Sequence, residues 1–206
     1  MPLPNFFLTL LDKKYALRYN KIMITLEELD QLYLTRQSCR SFDSSKPVDK
    51  ELLERICKLA LLSPSACNTQ PWKIYVTTGE KAKEAIKATQ VMGKNQFASE
   101  APVLIVFAEV KGNFTTRMAN TFDYNDFAHN DLGILTAHLV LAAEAAGLQS
   151  CILGWRNEKK LAKTLNLPKG TRFSSAIVLG YATEGYAVRP KKRKDESETL
   201  FFIEDV

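Results

Sequence analysis

In the stretch Arg36-Gln37-Ser38-Cys39-Arg40, side chains two places apart share a direction if the backbone is extended. Two guanidinium groups and one hydroxyl would then face a single ligand. A guanidinium is a planar fork of donors that matches phosphate oxygens, and its bonds to an ionised group are stronger than neutral hydrogen bonds. The chemistry on offer is anion capture, although two arginines behind a helix are more commonly a solvated surface. A second group lies in Ser63-Pro64-Ser65-Ala66-Cys67-Asn68-Thr69-Gln70-Pro71-Trp72. Pro64 and Pro71 stiffen this loop, and Ser65, Asn68 and Gln70 carry donors and acceptors suited to the edge of a heterocycle. An ordinary capped turn with Trp72 as a core anchor fits the same residues equally well. The third group is the basic run Arg189-Pro190-Lys191-Lys192-Arg193-Lys194, which by itself suits a solvated tail or a nucleic-acid patch.

Composition narrows the chemistry further. With 206 residues, 46% of them hydrophobic, the chain can bury one substantial core and does not require a second domain. A formal charge of +5 suits an anionic ligand and falls short of a dedicated nucleic-acid binder. Cys39, Cys57, Cys67 and Cys151 form no C-x-x-C pair and no zinc-spaced cluster with His129 or His138, so no metal site is expected. Both histidines are read as parts of helices, and Cys151, at the end of an apolar strand with no evident base, as packing. The apolar run Phe6 to Leu11 lacks a basic flank and a cleavage site. No segment reaches the roughly 20 apolar residues of a membrane span. The expectation is a soluble, cytoplasmic protein with residues 1–24 as an N-terminal extension and 25–206 as one domain.

The elements that must position these groups follow from periodicity. Leu26, Leu29, Leu32 and Tyr33 recur at helical spacing between Thr25 and Arg36, with Thr25 as N-cap and Glu28 three places on. Asp49 caps a second helix, with Val48 and Leu53 as its hydrophobic staple and Leu52, Ile56, Leu59 and Ala60 as its buried face. Strands are predicted at Trp72–Thr77, Val103–Phe107, Cys151–Leu153 and Ser175–Leu179, the second covered on both faces. Further helices are predicted at Glu80–Val91, at Asn130–Ala146 closed by Gly147, and from about Asn157. The interleaving lacks the rhythm of a doubly wound sheet, so the class is α+β.

The Arg36-x-Ser38-x-Arg40 group, the Pro64-Ser65-x-x-Asn68-x-Gln70-Pro71-Trp72 loop, the Ala101-Pro102-Val103 strand entry and the Gly147-Leu148 helix end occur in this order. Together they resemble the FMN-dependent nitroreductase family, over roughly Thr25 to Val206. The resemblance implies a central, mostly antiparallel sheet flanked by helices, and an interlocked homodimer with two FMN sites built from both subunits. Arg36, Ser38 and Arg40 would bind the phosphate and ribityl chain with Lys191 and Arg193. Pro64, Ser65, Asn68 and Gln70 would reach the flavin from the partner subunit. Gln96 would meet the pyrimidine edge, and Cys151, Ile152, Leu153 and Gly154 would pass beside the ring, with a backbone N–H near Leu153 or Gly154 directed at N5. Phe114, Phe122, Tyr124 and Phe127, within Gly112–Phe127, would cover the site.

The activity implied is that of an NAD(P)H oxidoreductase reducing nitroaromatic or quinone-like acceptors by ping-pong hydride transfer through FMN, with no catalytic side chain of its own. A reductive dehalogenase, or a non-catalytic flavin-binding or nucleotide-sensing protein, would fit the same fold. Neither nucleic acid nor membrane is expected as a partner. No dinucleotide-binding glycine fingerprint is present to separate NADH from NADPH.

Overall fold

The structure is a computed structural model and describes residues 24–110 and 127–203. The 1–24 extension up to residue 23, and the covering residues Phe114, Phe122 and Tyr124, lie outside the described residues. Among those described, no helix is long and apolar enough to cross a membrane.

Helix α1 spans Leu26–Thr35 and opens on the predicted reciprocal cap, in which Glu28 N–H donates to Thr25 Oγ1 (3.2 Å) and Thr25 N–H to Glu28 Oε2 (2.9 Å). Helix α2, Lys50–Ala60, is capped by Asp49 Oδ1, which accepts from Leu52 N–H at 2.8 Å, and buries Leu53, Ile56 and Ala60. Strand β1 (Trp72–Thr78), helix α3 (Gly79–Ile86), strand β2 (Val103–Glu109) and helix α4 (Phe127–Ala145) follow. Strand β3 (Gln149–Leu153), helix α5 (Glu158–Thr164) and strand β4 (Phe173–Gly180) complete the regular elements. Gly147 ends the turn after α4 at φ +75°, a left-handed conformation open to glycine at little cost. There its N–H bonds Glu144 O (2.9 Å) while Leu148 N–H bonds Ala143 O (2.9 Å), the paired closure of a Schellman turn.

The four strands form one antiparallel sheet in the order β1-β2-β4-β3. Strand β2 is apolar throughout because it is covered on both sides. Val103, Ile105 and Phe107 pack with Leu53, Ile56, Leu132, Leu135 and Leu139 of α2 and α4. Leu104, Val106 and Ala108 pack with Ala85, Ile86 and Leu161 of α3 and α5. The class is α+β, as the pattern predicts.

Beyond β3 the chain 36–42 adds a short extra rung. Ser38 pairs in parallel with Ser150, Cys39 N–H donates to Ser150 O at 2.9 Å, and Phe42 pairs antiparallel with Ala182. The candidate anion-binding residues therefore hang on the edge of the sheet.

Several predicted boundaries differ. Helix α3 stops at Ile86 instead of continuing to Val91. Asn157 N–H takes Ala88 O at 2.7 Å, Asn95 Nδ2 takes Thr89 O at 3.0 Å, and Thr89 Oγ1 takes Ile86 O at 2.7 Å. Past Ile86 the backbone tightens to i→i+3 bonds, Ala88 N–H on Ala85 O (2.9 Å) and Thr89 N–H on Ile86 O (2.8 Å), and the bonds to Ala88 O and Thr89 O hold the chain on that course. Helix α4 begins at Phe127 instead of Asn130, and β3 and β4 each begin two residues earlier than their apolar cores because ladder pairing with their neighbours extends them.

Candidate functional site

Arg36, Gln37, Ser38 and Arg40 line one side of a cleft of about 700 Å³, and Arg189, Pro190, Lys191, Lys192 and Arg193 line the other. The first wall is the extended stretch anticipated from spacing: Gln37 and Cys39 are buried while Arg36, Ser38 and Arg40 stay accessible. The second wall is the arm that follows β4. Six of the lining residues are cations and none is a carboxylate.

The arm is tied to the first wall by a ladder of bonds. Gln37 Nε2 donates to Ala187 O (3.0 Å), and Gln37 Oε1 accepts from both N–H (3.2 Å) and Nε–H (3.0 Å) of Arg189. Arg189 Nη2 donates to Ser38 O (2.6 Å), Lys191 Nζ to Arg36 O, and Arg40 N–H to Tyr186 Oη (3.0 Å). Arg40 also stands over the Phe97 ring at 5.9 Å, within cation–π range. Every acceptor in this ladder is a carbonyl, an amide or a hydroxyl. The cations are held in place without being neutralised, so their field stays directed into the cleft. Burial, and the nearby charges of Arg36 and Arg193, push the Lys191 ammonium below the usual lysine range, with Glu144 opposing. An anion would relieve that repulsion.

The loop Pro64–Pro71 has a different construction. Ser65 Oγ accepts from Gln70 N–H at 2.9 Å, Gln70 Nε2 donates to Asn68 Oδ1 at 3.1 Å, and Trp72 N–H bonds Gln70 O at 2.7 Å. Cys67 (φ 50°), Asn68 (φ 51°) and Gln70 (φ 47°) all adopt the left-handed backbone conformation. Asparagine tolerates that region; cysteine and glutamine adopt it at greater cost, and such positions collect at functional sites. The loop is latched to α4 by Asp131, a buried carboxylate whose two oxygens accept from Ala66 N–H at 3.1 and 3.2 Å. None of Pro64, Ser65, Asn68 and Gln70 lines the cationic cleft of its own chain.

At the end of β3, Cys151 and Leu153 point into the core, while Ile152, Gly154 and Trp155 are exposed. Arg156 Nη1 donates to Gly154 O at 3.1 Å and fixes the backbone there. Asn95 Nδ2 donates to Trp155 O at 3.2 Å, and Phe97 lies under Arg40, so Gln96 is held between a residue touching the strand end and one touching the cleft wall. Sequence spacing gave no sign of that link.

Cys39, Cys57 and Cys151 are poorly suited to act as nucleophiles. Burial raises Cys39 and Cys151 above the usual thiol range, and burial together with Glu54 pushes Cys57 up to about 11.

Sequence reasoning passed over Gln37, Arg189 and Asp131. Alternation turned Gln37 inward, and a buried amide has to find partners. Asp131 shares a helical face with Leu135 and Leu139, so its position in an apolar stripe was the signal.

The family model described as the nitroreductase family matches residues 33–91 and 87–181. An oxygen-insensitive NADPH nitroreductase of Helicobacter pylori is 35% identical, covering 84% of this chain and 96% of that protein. An iodotyrosine dehalogenase 1 homolog of Caenorhabditis elegans is 26% identical over 77% of this chain and 56% of its own length. Among solved structures, a nitroreductase-fold protein of Exiguobacterium sibiricum in complex with FMN superposes with a TM-score of 0.69 at 18% identity, over 84% of this chain and 96% of that one.

Proposed function

The chain belongs to the nitroreductase family, and on that premise we propose that it is an FMN-dependent NAD(P)H oxidoreductase acting as a homodimer on nitroaromatic or quinone-like acceptors. The observation that carries this reading is the cleft lined by six cations and no carboxylate, with Arg189 and Lys191 held by neutral acceptors. It has the charge for a phosphate monoester and the guanidinium forks to grip one.

The residues fit the cofactor. Arg36, Ser38, Arg40, Lys191 and Arg193 would hold the phosphate and the ribityl chain, while the exposed Ile152–Gly154 backbone at the end of β3 would lie along the ring. When bound, FMN would supply the two-electron redox chemistry that links NAD(P)H to the acceptor, and this chain's residues would hold and orient it. The backbone N–H near Leu153 or Gly154 would position N5, and Gln96 would meet the pyrimidine edge. Pro64, Ser65, Asn68 and Gln70, preorganised but directed away from their own cleft, would enter the partner's site.

Unpartnered apolar surface supports the homodimer. Helix α1 buries no residue and exposes Leu26, Tyr33 and Leu34, while the end of the arm leaves Phe201, Phe202 and Ile203 at 72%, 81% and 97% exposure. Exposed apolar side chains grouped along a helix and at a chain end suit a protein–protein contact.

The test is an absorption spectrum of the purified chain followed by anaerobic NADH or NADPH. Flavin bands that bleach on addition are expected; a colourless chain that FMN does not reconstitute overturns the reading. The dehalogenase relative raises a second acceptor class, the halogenated phenols. Turnover of an iodophenol exceeding that of a nitroaromatic or quinone would favour it. A reducible flavin with no turnover on any of them would favour a binding or sensing role.

A further inference from the structure

We propose that Gln37 is a positioning residue for phosphate recognition, forming with Arg189 a clamp that makes the chain prefer a phosphorylated flavin over an unphosphorylated one. The proposal rests on the FMN reading and goes beyond it in assigning discrimination to a side chain that need not touch the phosphate.

Gln37 is 5% exposed and spends its amide on the arm: one bond to Ala187 O and two from Arg189. Its orientation is forced, because Arg189 offers only donors there and Ala187 only an acceptor. Arg189 then reaches Ser38 O, so the two walls of the cleft are joined at the position between Arg36 and Arg40. This clamp, flanked by the bonds of Lys191 to Arg36 O and of Arg40 N–H to Tyr186 Oη, is the central tie that sets the spacing between the Arg36–Arg40 wall and the Lys191–Arg193 wall. A carboxylate at position 37 would accept the same two bonds, yet it would cancel the charge of Arg189 and lose the donor to Ala187. A neutral amide joins the walls and leaves the cleft cationic. An apolar residue would leave the Arg189 donors and the Ala187 carbonyl without their partner and free the arm to drift.

The ring of the flavin would meet other parts of the chain, namely the end of β3 and the partner's loop. Loss of the clamp should therefore cost phosphate recognition and spare ring recognition. That separation is what a general structural role would not produce.

The experiment measures dissociation constants of FMN and riboflavin for the full-length wild type, Gln37→Leu and Gln37→Glu, with thermal unfolding of each flavin-free protein. The wild type is expected to favour FMN. Gln37→Leu should weaken FMN about tenfold or more and shift riboflavin by less than about twofold. Gln37→Glu should lower the FMN preference as well, with the flavin-free protein still unfolding cooperatively. Equal losses for both ligands, or an unchanged FMN-to-riboflavin ratio in both variants, overturn the clamp while leaving the FMN reading standing. A wild type that binds neither flavin overturns the reading and the clamp with it. If Gln37→Leu does not fold, the ratio measured on Gln37→Glu decides: a fall supports the clamp and an unchanged ratio overturns it.

Discussion

The cationic cleft and the Pro64–Pro71 loop, both assigned to the flavin in the proposed reading, are constructed by different means. The cleft is complete within one chain: two extended segments, far apart in sequence, are laced by bonds from Gln37, Arg189, Lys191 and Arg40. The loop is rigid through local bonds and an unusual backbone, with one long-range latch at Asp131. Its polar groups do not serve the cleft of their own chain. Phosphate binding should therefore be a property of each subunit, and ring binding a property of the assembly. Variants in the cleft ought to separate FMN from riboflavin, and variants in the loop ought to weaken both alike.

The largest effect is expected from the cleft itself. Arg36→Ala or Arg40→Ala removes a charged donor to phosphate and should weaken FMN by roughly ten- to a hundredfold, the range for about 1.5–3 kcal/mol of charge-assisted bonding. Riboflavin affinity and the melting temperature of the flavin-free protein should move little. Titrating both ligands checks this; full FMN occupancy in both variants would refute the phosphate assignment.

Next comes the loop latch. Asp131→Ala leaves Ala66 N–H without its partner beneath the loop and should cost about 1–3 kcal/mol of stability. In contrast to the arginine variants, it should weaken FMN and riboflavin by similar factors, because the loop would meet the ring. A selective loss of FMN would break the division drawn between the two regions.

The same contrast explains what could be read from the sequence. The first wall was legible because a period of two is a local property: the inward turn of Gln37 and Cys39 follows from the spacing of Arg36, Ser38 and Arg40. The four strands, the caps at Thr25 and Asp49 and the Gly147 turn were legible for the same reason. What was missed depends on partners distant in the chain. Past the end of helix α3 the chain is held by Asn95 and Asn157, which bond the carbonyls of Thr89 and Ala88, and Asp131 matters because Ala66 lies against it. Assigning Lys191 and Arg193 from a run of basic residues drew on family resemblance, and the bond from Lys191 to Arg36 O comes from the fold.

A smaller effect should come from the loop backbone. Cys67 adopts φ 50°, a conformation that glycine enters without the clash of a side chain. Cys67→Gly should raise stability by up to about 1 kcal/mol, read as a higher melting temperature, with part of the gain offset by the greater freedom of glycine in the unfolded chain. No change or a loss would mean that the side chain contributes more than the strain removes.

The smallest effect concerns charge in the cleft. Lys191 has a folded-state pKa below its ordinary value, so in the window between the two values the unfolded chain binds more protons than the folded one. Stability of the flavin-free protein should therefore rise with pH across that window, as the cost of holding a charged lysine beside Arg36 and Arg193 disappears. Bound phosphate should reverse the sign, because a dianion beside Lys191 favours its charged form. Melting temperatures measured from about pH 8.5 to 10.5, spanning the approach to the ordinary lysine pKa, should rise less steeply in Lys191→Met than in the flavin-free wild type. Saturating FMN should turn the wild-type rise into a fall. If the slope is the same with and without FMN, the phosphate does not sit beside Lys191, and the arm's cations serve the fold or another anion instead.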